Sequence, residues 1–180
     1  MYESTTKTER VYSGRVLGLE LLDVELENGS SSQREIVRHN GAIGAVCRMS
    51  DGRFLFVRQF RKAIEDYCFE IVAGTLEAGE DVRDCALREI REETGYGVRD
   101  LLRLGRIAPS PGYSDEYIHI FYAELEPNAG GQSLDDGEHV YLLPIERAEF
   151  ERMVAEGEVV DAKTLAAWLL FERLMEGGGG

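Results

Sequence analysis

Between Gly74 and Val98 the chain reads GTLEAGEDVRDCALREIREETGYGV, and five carboxylates (Glu77, Glu80, Glu89, Glu92 and Glu93) crowd one loop and the segment after it. Asp81 to Thr94 contains neither Gly nor Pro and opens on an Asp able to cap a helix. It sets Val82, Cys85, Ala86 and Ile90 on one face, which predicts an amphipathic helix. Glu89 and Glu93 then project from the same face, one turn apart, where like charges cost about 0.2–0.5 kcal/mol. A bound divalent cation is a physical reason to keep such a pair, and an all-oxygen donor set favours Mg2+ or Mn2+ over zinc or copper. The competing reading is a solvated helix face with Arg88 and Glu92 as an internal i,i+4 pair.

Before this stretch the sequence predicts antiparallel β-structure. Leu22, Val24 and Leu26 alternate with Asp23, Glu25 and Glu27, Asn28-Gly29 supplies a turn, and Gln33 to Arg38 can pair back. Ala42 to Met49 and Phe54 to Phe60 flank a second turn at Ser50-Asp51-Gly52. After the helix, Leu102 to Ala108 and Tyr117 to Leu125 have strand composition, separated by a loop holding Pro109, Pro111 and Gly112. Glu126 to Gly137 reads as a polar, Gly-rich loop and His139 to Leu143 as a strand. Two helices are expected to follow, one opened by Pro144 in its first turn and one from Asp161 with Leu165, Trp168, Leu169 and Leu174 on its apolar face. This order predicts an α+β fold, an α/β/α sandwich with a mixed β-sheet flanked by helices and an N-terminal antiparallel β extension.

Charge and length narrow the function. The 180 residues carry a net charge of −14, which repels nucleic acid and anionic membrane surfaces. No stretch approaches the ~18 apolar residues of a membrane span, and Met1 to Arg10 lacks the apolar core of a secretory signal, so the expected location is cytoplasmic. Cys47, Cys68 and Cys85 are far apart with apolar neighbours, the pattern of buried reduced thiols.

The spacing within the acidic stretch is itself a pattern. Gly74, Glu80, Arg88-Glu89-Ile90, Glu92-Glu93 and Gly95 match eight of the nine specified positions of the Nudix box, G-x5-E-x7-R-E-U-x-E-E-x-G-U with U bulky and aliphatic; Tyr96 is the departure. The chain therefore resembles the Nudix hydrolases. The resemblance implies the Nudix fold, Mg2+ (Mn2+ as a substitute) as cofactor, and hydrolysis of a nucleoside diphosphate linked to another group. It implies Glu89, Glu93, Glu92 and the Ala73 carbonyl as metal ligands, Arg88 as the group orienting the glutamates, and Glu80 as a tie between loop and helix. Mg2+ chemistry suits pyrophosphate cleavage because it neutralises diphosphate oxygens and activates the attacking water.

The flanks resemble the ADP-ribose and ADP-sugar pyrophosphatase subfamily. Ser110-Pro111-Gly112 lies about fifteen residues beyond the box, Val57-Arg58-Gln59-Phe60-Arg61 resembles a strand whose second arginine grips the diphosphate, and Phe69-Glu70-Ile71-Val72-Ala73-Gly74 resembles the lead into the box. The implied substrate-binding set is Arg61, Arg58, Glu70, Gly112 and Glu116, with Glu116 holding Arg61 or touching substrate. Arg61 has the alternative of a surface pair with Glu65 or Asp66. The loop Asp135-Asp136-Gly137-Glu138 resembles one that supplies a catalytic base, giving Glu138 or Asp136 as that base beside Glu93. Tyr113 stands near the spacing of a tyrosine in dinucleoside polyphosphate hydrolases, so that substrate class and GDP-mannose stay open, as does a sensor that binds without cleaving.

The resemblance also implies a homodimer, with residues 1–40 as its β-stranded dimerisation element, 41–176 as the Nudix domain and 177–180 as a disordered glycine tail. The expected partner is a small nucleoside diphosphate sugar, with no nucleic acid and no membrane.

Overall fold

Alternation along Phe54-Leu55-Phe56-Val57 sends Phe54 and Phe56 to one side of a sheet and Leu55 and Val57 to the other, and all four are buried. A strand buried on both faces needs cover on both, and this requirement organises the fold. The computed structural model describes residues 2–134, 137 and 139–177. They form two units, 1–41 with 108–117, and 42–107 with 118–180.

The first unit is a three-stranded antiparallel sheet of β1 (Glu3–Ser13), β2 (Leu17–Leu26) and β3 (Ser31–His39), in that order. The β2–β3 turn is the expected one, with Gly29 at φ 80° and its N–H donating to Leu26 O at 2.8 Å. β1 falls within the expected β-stranded 1–40 region, but no pattern singles it out: its polar sequence, exposed throughout, carries no hydrophobic alternation, and it is a strand because its backbone pairs with β2. The Pro109–Tyr117 loop belongs to this unit and not to the C-terminal one, clamped on β3 by Val37 N to Tyr113 O (2.7 Å) and Asp115 N to Val37 O (3.2 Å).

The second unit begins with β4 (Ala42–Arg48), β5 (Phe54–Arg61), β6 (Asp66–Glu70), β7 (Val72–Thr75) and α1 (Val82–Thr94). It continues through β8 (Tyr96–Ile107), β9 (Ile118–Ala129), β10 (Tyr141–Ile145), α2 (Arg147–Ala155) and α3 (Ala162–Gly177). The sheet runs β10-β5-β4-β9-β8, with β4 and β9 parallel and the other pairs antiparallel. α1 covers Ile43, Ala45, Cys47, Leu55 and Val57 through Cys85, Ala86 and Ile90. The other face is closed by α2 and α3, where Phe150 stacks on Phe56 at 4.5 Å and Trp168 meets Phe54 edge-on at 4.9 Å. The result is the expected α/β/α sandwich.

Three local expectations are corrected. Pro144 lies within β10, opposite Leu55, and does not open a helix; β10 is an edge strand, so the missing N–H leaves no ladder bond unmade. β9 extends to Ala129, into the stretch read as loop, because Tyr96 at the start of β8 pairs with Ala129, through register shifts that hydrophobicity does not reveal. On α3 the buried residues are Thr164, Ala167, Trp168 and Phe171, whereas Leu165 and Leu169 are exposed. The buried set follows the i, i+3, i+4, i+7 spacing of a single helical stripe.

The sheet also splits. β4 and β5 pair only at Cys47–Leu55 and Arg48–Phe54; beyond that β5 pairs with β6 and β4 with β7. Ile71, between β6 and β7, is where one segment changes partner, and its buried N–H would be orphaned there. Thr164 Oγ1 of α3 accepts it at 2.8 Å and donates in turn to Asp161 Oδ2 at 2.6 Å; the same Asp161 oxygen caps α3 by accepting from Thr164 N at 3.0 Å. Thr164→Val, isosteric but without the hydroxyl, leaves the Ile71 N–H unsatisfied and is expected to lower unfolding free energy by about 1–3 kcal/mol in urea denaturation; an unchanged midpoint would contradict this account.

Candidate active site

α1 is bounded as its sequence demands. Asp81 accepts from Arg83 N at 2.8 Å at the N-terminus, and Gly95, in the left-handed region at φ 74°, ends the helix with its N–H on Arg91 O. Gly95 is required twice over, since a Cβ there would also lie 2.6 Å from Gly130 O.

The box glutamates are gathered by one guanidinium. Arg88 donates from Nε to Glu80 Oε1 (2.9 Å) and from Nη2 to Glu80 Oε2 (3.0 Å), while Nη1 reaches Glu89 Oε1 (2.8 Å) and Glu92 Oε2 (2.9 Å). The Arg88 hydrogen bonds hold the Glu80 carboxyl down at about 2, against a smaller opposing effect of burial, and Glu80 in turn raises the Arg88 pKa. Glu80 Oε2 also accepts from Glu77 N at 3.0 Å, so it ties loop to helix. The Arg88–Glu92 pair of the solvated-face reading exists as well, as one contact among these.

β7 meets this web through Gly74. A Cβ at Gly74 would lie 1.8 Å from Glu89 Cδ, so only glycine lets the Glu89 carboxyl lie against the strand, beside Ala73. Glu93 is buried at 3% exposure, and its charge helps burial raise the pKa of the Cys47 thiol on β4. All three cysteines are free and buried.

The loop after β9 is fixed to the end of α1. Gly130 N donates to Gly95 O (2.6 Å), Ser133 N to Glu92 O (2.9 Å), and Gln132 Nε2 to Glu93 O (2.6 Å) and Val140 O (3.3 Å). These donors satisfy helix-terminal carbonyls that have no partner within the helix. Gln132 escaped the sequence reading, since an amide in a polar loop carries no pattern. Asp135, Asp136 and Glu138, the acidic residues that follow, lie outside the described residues.

Arg61 is paired, but with neither Glu65 nor Asp66. Its Nε and Nη2 form a two-pronged contact with Glu70 Oε1 and Oε2 at 2.6 and 2.5 Å. Burial, not register, explains this: Asp66 is the residue opposite Arg61 on the paired strand, but it is exposed, whereas Glu70, opposite Val57, is buried where only a charged partner makes its burial tolerable. Burial pushes the Glu70 carboxyl up, but the Arg61 hydrogen bonds and the Lys163 charge outweigh it and hold it below the usual range. Arg58 is exposed and lies over the Tyr67 ring, 4.4 Å from its centroid. In the other unit, Glu116 Oε1 stands 3.5 Å from His39 Nδ1, and Gly112 sits in the turn closed by Tyr113 N to Ser110 O.

The residues present fit a divalent cation. The donors are all oxygen, and the Gly74 cradle sets the Glu89 carboxylate next to the Ala73 peptide. Among the described residues no three His, Cys, Asp or Glu side chains stand together closely enough to hold a metal ion, and Arg88 Nη1 lies between Glu89 and Glu92. A cation held at these oxygens would have to compete with the Arg88 contacts.

The NUDIX domain description matches residues 38–173. The chain belongs to the Nudix family. It is 43% identical over 166 residues to a methanol dehydrogenase activator of Bacillus methanolicus, covering 92% of this chain and 90% of that one. An ADP-ribose pyrophosphatase of Bacillus subtilis is 41% identical over 166 residues, with the same coverage. A crystal structure of an ADP compounds hydrolase superposes with a TM-score of 0.86 at 24% identity, covering 99% of this chain and 97% of the other, and thus shares the fold. Nudix hydrolases generally use divalent metal ions.

The Glu80–Arg88 contact has a pH signature. A Glu80 pKa near 2 in the folded state, against about 4.3 unfolded, contributes stability that is complete above about pH 4.3 and is lost as pH falls toward 2. In EDTA, urea midpoints of the wild type should fall more steeply between about pH 5 and pH 3 than those of Glu80→Gln. Parallel slopes would show that the pair does not set this dependence.

Proposed function

We propose that the chain hydrolyses the diphosphate bond of ADP-ribose or a related nucleoside diphosphate sugar, with Mg2+ as its cation, giving AMP and a sugar phosphate such as ribose 5-phosphate. The observation that carries the reading is the assembly of Glu80, Glu89 and Glu92 around Arg88, with Glu89 cradled on Gly74. The names of relatives support the substrate class: the Bacillus subtilis protein is an ADP-ribose pyrophosphatase.

Water oxygen bonds to one phosphorus, the bridging P–O bond breaks, and the proton of water passes to a carboxylate base, for which Glu93, Glu138 and Asp136 are the choices. Glu89, Glu92, Glu93 and the Ala73 carbonyl would hold the cation, which when bound would neutralise diphosphate charge and lower the pKa of water. Arg61 supplies the diphosphate contact: Glu70 uses two of its five N–H donors, so the fork end remains for phosphate oxygens. Arg58 and Glu70 complete the binding set on this unit.

Release of AMP from ADP-ribose, ADP-glucose, GDP-mannose and diadenosine polyphosphates, with Mg2+ and with EDTA, tests the reading. ADP-ribose should lead, EDTA should abolish turnover, and Glu93→Gln should lower kcat about 10²–10⁴-fold. Preference for GDP-mannose or a polyphosphate would move the substrate, and silence on all of them would favour a sensor.

We also propose a cytoplasmic homodimer built through the N-terminal strands. The exposed β1, with Val11 and Tyr12 more than half exposed, supports this reading. Light scattering should give twice the chain mass, and deletion of residues 2–13 should give a monomer; a monomeric full chain removes the proposal.

A further inference from the structure

Behind Arg61 lies a second layer of charge that the hydrolytic reading does not use. Lys163, in the first turn of α3, binds Glu70 Oε2, the oxygen that also receives Arg61 Nη2. Its ammonium is also 3.0 Å from Asp161 Oδ2, the oxygen that caps α3. Glu70 is buried at 1% side-chain exposure and Lys163 is mostly covered at 13%, while Arg61 is 44% exposed. The contacts run in the order Asp161, Lys163, Glu70, Arg61, with Glu70 the most buried of the four and Arg61 the most exposed.

A lysine at a helix N-terminus is misplaced by the helix dipole, which favours carboxylates there. Its place is justified by Glu70, whose burial one cation at a half-exposed position would offset poorly. The formal charges of the four groups cancel, and the buried thiol of Cys68 nearby, pushed up to about 11 by burial and by the Glu70 charge, adds none at neutral pH.

The arrangement also bears on what Arg61 can do. If Glu70 answered to Arg61 alone, its charge would be spent on the guanidinium and would draw it inward. With Lys163 sharing Oε2, Arg61 is oriented by two hydrogen bonds while its positive charge is less fully cancelled. Glu70 is only four residues before Gly74, at most about 13 Å along an extended strand, so this array and the Glu89 cradle belong to one segment.

We propose that Lys163 is a positioning residue for the diphosphate: it holds Glu70 from behind, so that Glu70 presents the fork end of Arg61 to the substrate. The inference rests on the reading of Arg61 as the diphosphate contact. Lys163 touches neither substrate nor reacting atoms; it acts on substrate affinity through Glu70 and Arg61.

Steady-state kinetics on ADP-ribose with Mg2+ decide it. Lys163→Met should raise KM about tenfold while kcat changes less than about threefold, and Lys163→Arg should recover most of the loss. In an Arg61→Ala background Lys163→Met should have no further effect on KM, because the residue it acts through is gone. An unchanged KM in Lys163→Met, or an equal increase with and without Arg61, overturns the inference while leaving the hydrolytic reading in place. Should Lys163→Met fail to fold, the pair Glu70→Gln with Lys163→Met removes both buried charges together; a raised KM supports the inference and a wild-type KM overturns it. A wild type silent on ADP-ribose and on the other diphosphate sugars overturns the hydrolytic reading, and this inference with it.

Discussion

The guanidinium of Arg88 is the point on which the site turns. Glu80, Glu89 and Glu92 would repel one another across a loop and a helix, and a loop closed only by chain entropy would not hold them. Arg88 reaches all three, and its fixed fork geometry sets the loop residue Glu80 against the helix with little freedom. A lysine would supply the charge without the directions. Gly74 adds the third side by leaving room for the Glu89 carboxyl against β7. The box is thus a joint between strand, loop and helix before it is a metal site, and its spacing follows from which atoms must meet at Arg88.

The sheet gives that joint a place to stand. Because β4 and β5 diverge, one short segment is shared between them, with Glu70 on the β5 side and Gly74 on the β4 side of Ile71. The Arg61–Glu70 pair and the Glu89 cradle thereby stand at two ends of one segment. The divergence leaves a polar group unmatched at Ile71, and α3 answers it with Thr164 and answers Glu70 with Lys163. The apolar stripe of Ala167, Trp168 and Phe171 anchors α3 by burial, while its first turn is occupied with the polar needs of the split.

The sequence made α1 legible because periodicity, capping Asp81 and terminal Gly95 all point the same way. It made the box legible because fixed offsets are themselves the signal. β1 was illegible, since nothing in ESTTKTERVYS distinguishes a paired strand from a polar leader. The partner of Arg61 was missed for a different reason. Asp66 does stand opposite Arg61 in the β5–β6 ladder, but Glu70, further along β6 and buried opposite Val57, takes the guanidinium, and which carboxylate is buried is a property of the fold, not of composition. Lys163 did carry a signal: a cation in a first helical turn asks for a buried carboxylate, and only the fold names which one.

The Ile71–Thr164 hydrogen bond joins residues 93 positions apart. While the chain is being made, β4 to β9 and the whole box emerge before α3 exists, yet Ile71 and Glu70 cannot be dehydrated without it. Until α3 is made, Phe54, Phe56 and Phe69 lack the cover that Trp168 and Phe171 give them, and that part of the sheet carries exposed aromatic surface.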